Sequence, residues 1–172
     1  PYQLNVIYGH GINKVELDES SAILKLFVSS RGRVLLRKRV LNEWYKSQMD
    51  LLSSDYIKKW QDLIGVEITE YAIRSMKSRW GSCNITQKRI CLNLELAKRP
   101  PECLEYIIVH ELVHLLERNH NKRFYQFMEQ FMPQWTTRRT IISTNRTITK
   151  ELSQCSNKSL PFPLLFGVQS EQ

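Results

Sequence analysis

From Cys103 to Glu117 the chain is apolar nearly all round, with Leu104, Ile107, Ile108, Val109, Leu112 and Val113 leaving no broad polar face. A helix of that kind is buried on most sides, so the rest of the fold has to be built around it. Pro100-Pro101-Glu102 marks its start, because proline suits the first turn and a carboxylate there suits the helix dipole. Arg118-Asn119-His120-Asn121 marks its end, since Asn tolerates the left-handed backbone that closes helices. His110, Glu111 and His114 nevertheless sit inside this apolar run. Three ionisable groups on a buried helix are costly unless a partner satisfies them.

Their spacing suggests the partner. Side chains at i and i+4 of a helix lie one above the other, so His110 and His114 can point two imidazoles at a single zinc ion. Glu111 lies about a hundred degrees round the helix. It reaches a water held by the metal more easily than the metal itself. This is the His-Glu-x-x-His spacing of zinc hydrolases. The metal lowers the pKa of its water to about 7. The glutamate takes the proton, the hydroxide attacks a carbonyl, and the proton passes to the leaving amine. With four histidines in 172 residues, chance produces the pattern in about one such chain in a hundred. The plainer account is a pair of satisfied core histidines.

A third ligand has two candidates. His120 follows His114 past the helix break, and a turn there brings it back towards the first two histidines. Glu117 stays on the face of His114 if the helix continues, and zinc accepts a glutamate as readily as a third histidine. A side chain a full turn beyond His114 on one straight helix reaches the metal poorly, which favours His120. Glu117 then becomes a partner of the ligands or a surface carboxylate. His10, between Gly9 and Gly11, reads as a solvated turn residue.

Elsewhere the pattern is mixed. Gln3–Tyr8, Ile12–Leu17 and Ala22–Val28 read as strands separated by turn residues. Residues 33–52 switch to helical spacing, and Ser53-Ser54-Asp55 reads as the cap of a second helix ending at Ile64-Gly65. Val66–Ile73 alternates as a strand and Arg89–Leu94 as a returning one. The basic, small-residue stretch Arg74–Cys83 between them is not a packed helix. Helices are expected over 122–132 and 137–152, with an extended tail from Ser153. Together this predicts one domain over 1–152: strands to residue 30, a helical region at 32–64, a catalytic core at 66–135, and a last helix at 137–152.

Composition sets outer bounds. Hydrophobic residues make up 42% and charged residues 24%, ordinary values for a globular domain that folds without staples. No apolar run approaches the roughly 18 residues of a membrane span, and no secretory leader is visible. Cys83, Cys91, Cys103 and Cys155 form no C-x-x-C pair. Scattered reduced thiols point to the cytoplasm. The net charge of +8 leaves nucleic acid or a nucleotide open as a partner through basic stretches at 31–46, 74–89 and 136–150, although solvated helix faces account for the first and third.

The runs Met76–Cys83 (MKSRWGSC), Ile90-Cys91-Leu92-Asn93, Glu105–His114 and Asn119–Phe124 together resemble the YgjP-like metallopeptidase domain, a group related to SprT-like and minigluzincin proteases. The resemblance covers about residues 30–145, fits the first strands loosely and does not reach the tail. It implies a zinc-dependent hydrolase holding one Zn2+ ion through His110, His114 and His120, with Glu111 as catalytic base. It also implies a zincin-like α+β fold, a small and largely antiparallel sheet beside the active-site helix.

The expectation is therefore an α+β zinc metallopeptidase acting on a peptide or protein, with no membrane partner. A metal-dependent nucleotide phosphohydrolase and a non-catalytic zinc-stabilised DNA- or protein-binding module are the alternatives. Arg79, Trp80, Gly81 and Ser82 form either a substrate-binding strand edge or a structural loop in which Trp80 packs, Arg79 pairs with an acid and Gly81 makes a bulge. Tyr106 and Tyr125 are candidates to stabilise an oxyanion, although packing is the commoner role of such rings. Phe124, Phe127, Phe131 and Trp135 read as core.

Overall fold

The computed structural model describes residues 3–9, 11–29 and 34–152, with side chains of the last helix described to Thr144. His10, the tail from Ser153 and Cys155 lie outside the described residues. In chain order the elements are β1 (Gln3–Tyr8), β2 (Lys14–Asp18), β3 (Ile23–Val28), α1 (Val34–Ile64), β4 (Glu70–Arg74), β5 (Gly81–Asn84), β6 (Arg89–Asn93), a 3-10 turn (Leu94–Lys98), α2 (Pro101–Val113), α3 (Lys122–Phe131) and α4 (Trp135–Leu152).

The class is α+β, as the sequence implies, but the strands divide into two three-stranded sheets, ordered β1-β3-β2 and β4-β6-β5. Each sheet has one parallel and one antiparallel pair, so the pairing is mixed rather than largely antiparallel. In both, the central strand carries most of the buried apolar residues: Leu24, Leu26 and Val28 on β3, and Ile90 and Leu92 on β6, joined by Ile73 on β4. The first sheet packs on the start of α1 through Leu36 and Val40. The second belongs to the main core, with α2 at its centre: Leu104, Ile108, Val109, Leu112 and Val113 are all fully buried. Among the described residues no helix is long and apolar enough to cross a membrane.

Two expectations about α1 and β4 need correcting. Ser53-Ser54-Asp55 does not start a new helix; α1 runs through it for 31 residues. Tyr45, Met49, Ser53, Ile57, Trp60 and Ile64 form one buried stripe at three- and four-residue spacing. Ser53 continues that stripe as a small buried residue, and the continuity of packing outweighs a local capping signal. The helix stops where expected, at Gly65, whose φ of 75° admits the left-handed turn. The strand then begins only at Glu70 rather than Val66. The intervening backbone bonds back to the helix end: Val66 N–H donates to the Gln61 carbonyl at 3.1 Å and Ile68 N–H to Gln61 Oε1 at 2.7 Å.

Arg138 also departs from expectation. It does not lie on a solvated helix face but ties α4 to α2 by donating to Glu105 Oε2 at 2.5 Å. Glu105, only 7% exposed, also accepts from Lys59 at 2.9 Å and from the Trp60 indole at 3.0 Å, which adds α1. Burial raises the Glu105 pKa, but the hydrogen bonds from Lys59, Arg138 and Trp60 outweigh it and hold the carboxyl below its ordinary value. Lys59 is 54% exposed and adds little through screened charge, so Arg138 carries most of the pairing. A carboxyl with a lowered pKa stabilises the fold above its ordinary titration range, and that contribution is lost as pH falls. Glu105→Gln is expected to lower stability by about 2–3 kcal/mol at neutral pH. Urea denaturation should show the variant and wild type converging as the pH drops below the carboxylate range.

Candidate metal centre

α2 ends at Val113, one turn earlier than its apolar pattern suggests. His114 is the capping residue, and Leu115, Leu116 and Glu117 fold back as a turn through hydrogen bonds to Leu112 and Val113. This separates the two candidate third ligands in space. Glu117 leaves the face of His110 and His114, and its Oε1 accepts from Asn119 N–H at 3.3 Å. The same turn returns His120 to α2. One ring nitrogen from each of His110, His114 and His120 lies within 4.8 Å of the others, and the His120 and His110 Nε2 atoms are 2.9 Å apart.

The arrangement suits a cation. His114 Nδ1 is 3.2 Å from the Glu117 carbonyl oxygen. Donation there leaves the Nε2 lone pair aimed at its two neighbours. Burial, then the facing His114, His120 and Arg139, push the His110 pKa down to about 3; burial also lowers that of His114. Neutral imidazoles are what metal ligation requires. Three converging nitrogen donors match zinc better than calcium or magnesium.

Phe124 supports all three rings, a role its helical spacing does not reveal. Fully buried, it lies with ring centroids 4.9 Å from His110, 4.8 Å from His114 and 4.7 Å from His120. Asn121 places it: its Oδ1 accepts from Phe124 N–H at 3.1 Å and starts α3 one residue after His120.

Glu111, 4% exposed, sits one step round α2. Burial pushes its carboxyl up to about 8, with Arg79 opposing the shift. The site is the floor of an open cleft of about 630 Å³, bordered by β5, α2, the turn after it and α4. Of the two readings of this stretch, strand edge or loop, the strand begins at Gly81 and runs to Asn84, although Gly81, Ser82 and Cys83 carry no strong strand signal. It forms as an edge strand paired antiparallel to β6, with Gly81 opposite Leu92, so Gly81 makes no bulge.

Gly81 is there for space. A Cβ at this position would collide with the Glu111 carboxylate and come within 2.8 Å of Ile107 Cγ2. The loop leading to it is held by Asn93, 4% exposed, which the sequence shows only as a strand end. Its Nδ2 donates to the carbonyls of Met76 at 2.9 Å and Arg79 at 2.7 Å, and its own N–H donates to the Trp80 carbonyl at 2.9 Å.

The remaining expected site residues separate. Trp80 packs against the core with the Arg99 guanidinium 5.4 Å over its ring, as the structural account of this loop requires. Arg79 is exposed and, among the described residues, pairs with no acid. Ser82 borders the cleft. Tyr106 also borders it, edge-on to His110 at 5.9 Å, with its phenol pushed up to about 12 by burial. Tyr125 instead stacks on Trp135 at 5.3 Å and lies 6.5 Å from the His120 ring. Cys83 is a half-buried free thiol pushed up to about 11 by burial, which argues against reactivity.

Three imidazoles converge beside a buried carboxylate on the floor of a cleft, a cluster that could hold a metal ion. Residues 1–145 match the YgjP-like, metallopeptidase domain, and the chain belongs to that family. The match includes the first strands, which the sequence motifs alone reach only loosely. No curated protein sequence matches the chain. Among solved structures, the chain is similar to the metallopeptidase zymogen abylysin of Pyrococcus abyssi at 24% identity and a TM-score of 0.47, covering 57% of this chain and 93% of that one. It is also similar to the zymogen jannalysin of Methanocaldococcus jannaschii at 22% identity and a TM-score of 0.45, covering 58% of this chain and 96% of that one.

The contact between Gly81 and Glu111 has a measurable consequence. Gly81→Ala is expected to cost about 1–3 kcal/mol through overpacking, read by urea denaturation. Zinc binding by the three histidines should be unchanged in a calorimetric titration.

Proposed function

We propose that this protein is a zinc-dependent peptidase in which His110, His114 and His120 hold one ion and Glu111 is the catalytic base. The observation that carries this reading is the convergence of the three ring nitrogens beside Glu111 on the cleft floor. A zinc ion there would supply Lewis-acid polarisation of a scissile carbonyl and lower the pKa of a coordinated water to about 7. Glu111 takes up the proton of the attacking water at a carboxylate oxygen and delivers it to the leaving amine.

The outer edge of β5 borders the cleft, and a substrate segment laid along it would add a strand to the sheet. Gly81 and Ser82 present little side chain to obstruct that approach. Tyr106 is the better placed of the two tyrosines to hydrogen-bond an oxyanion, because it borders the cleft. Free Cys83, Cys91 and Cys103 support a reducing compartment, the cytoplasm.

One observation favours the phosphohydrolase alternative: three arginines border the cleft. Against it, Glu111 is the sole carboxylate there among the described residues, and a magnesium–nucleotide site wants several oxygen ligands.

Zinc-loaded protein is expected to cleave denatured casein. Glu111→Gln should lose about 10²–10⁴-fold in rate while retaining its zinc. His120→Ala should lose metal, and Glu117→Ala should keep it, by elemental analysis. Full activity in Glu111→Gln, or hydrolysis of nucleoside triphosphates with casein left intact, contradicts the reading.

A further inference from the structure

Three guanidinium groups from separate segments border the cleft: Arg79 ahead of β5, Arg118 in the turn after α2, and Arg139 on α4. All three are exposed, and none forms an ion pair among the described residues. Among the described residues Glu111 is the one carboxyl bordering the cleft, and it is buried at its floor. Among the described residues, then, the cleft mouth is cationic with no carboxylate paired to it.

The arginines also have an order. Arg79 stands two residues ahead of Gly81 in the chain, and Arg139 follows Arg138, whose bond to Glu105 holds it beside the part of α2, at Ile107, that faces Gly81. Arg118 borders the adjoining pocket with Asn84, Thr86 and His114, at the opposite end of the strand. A chain lying along β5 would meet positive charge on both sides of the histidine cluster.

We propose that the cleft selects peptide segments bearing carboxylates on both sides of the histidine cluster, received by Arg79 and Arg139 at one end and by Arg118 at the other. This inference deepens the peptidase reading and rests on it. Guanidinium groups pair with carboxylates through two parallel hydrogen bonds. Nucleic acid fits less well, because the aromatic rings bordering the cleft, Trp80 and Tyr106, are packed into the core rather than offered for base stacking. The carboxylates can come from Asp and Glu side chains or from a chain-end α-carboxyl.

The test uses the full chain as the zinc-loaded Glu111→Gln variant and labelled twelve-residue peptides, with affinity read by fluorescence anisotropy. An Asp/Glu-flanked peptide is expected to bind about tenfold or more tightly than its Asn/Gln counterpart, and added salt should narrow the gap. Arg118→Gln with Arg139→Gln should narrow the gap, and adding Arg79→Gln should remove it; all three positions are exposed, and thermal unfolding checks that the fold is kept. Comparing free and amidated ends assigns the carboxylate to a chain end or to side chains, either of which fits. Equal affinity for acidic and neutral peptides overturns the proposal. So does a gap that survives in a variant lacking all three arginines, or displacement by a single-stranded oligonucleotide at lower concentration than by the acidic peptide. Cleavage by the wild type separates the two readings: neutral and acidic peptides cut equally leave the peptidase standing and remove the charge selection. Acid-selective binding with no peptide cut does the reverse.

Discussion

A helix buried on nearly every side has to carry three ionisable side chains, and the rest of the structure answers that constraint. Ile108, Val109, Leu112 and Val113 anchor α2 in the core. The same burial makes charge on His110 and His114 unfavourable and charge on Glu111 expensive. Satisfying these groups takes the cleft on one side of α2, the His120 return on another, and a strand with no side chain at Gly81. Stability and chemistry are thus requirements on one helix.

The surrounding elements act as positioning devices. Ending α2 at His114 turns the chain so that the Glu117 carbonyl faces His114 Nδ1 and His120 comes back. The Asn121 cap starts α3 with Phe124 against all three imidazoles. Asn93 holds the backbone that leads into β5. Glu105 ties α1 and α4 to α2 and so holds the wall that carries Arg139. None of these residues needs to touch a metal to matter, since imidazole orientation governs ligation.

Much of this was legible in the residues. The apolar run located α2, and the four-residue spacing of His110 and His114 put them on one face. The resemblance implied the α+β class, and the mixed strand and helix periods are consistent with it. What escaped depends on tertiary context. The 31-residue α1 overrode a local capping signal because Ser53 falls on its buried stripe. The parallel pairing of β1 with β3, and of β4 with β6, joins segments far apart in the chain, and no local pattern specifies it. β5 is built from small residues whose strand conformation comes from pairing with β6. Phe124 was recognisable as core, but its place beneath the histidines requires the turn at His114. Reach favoured His120 over Glu117, and the early end of α2 is what brings the His120 ring beside the other two.

The central claim is that the three histidines grip a common ion. An anomalous-difference map at the zinc edge, from crystals of the zinc-loaded protein, tests it most directly. One peak is expected about 2.0–2.1 Å from Nε2 of each of His110, His114 and His120. A peak ligated by Glu117 in place of His120, or splayed rings with no peak between them after soaking, would contradict it.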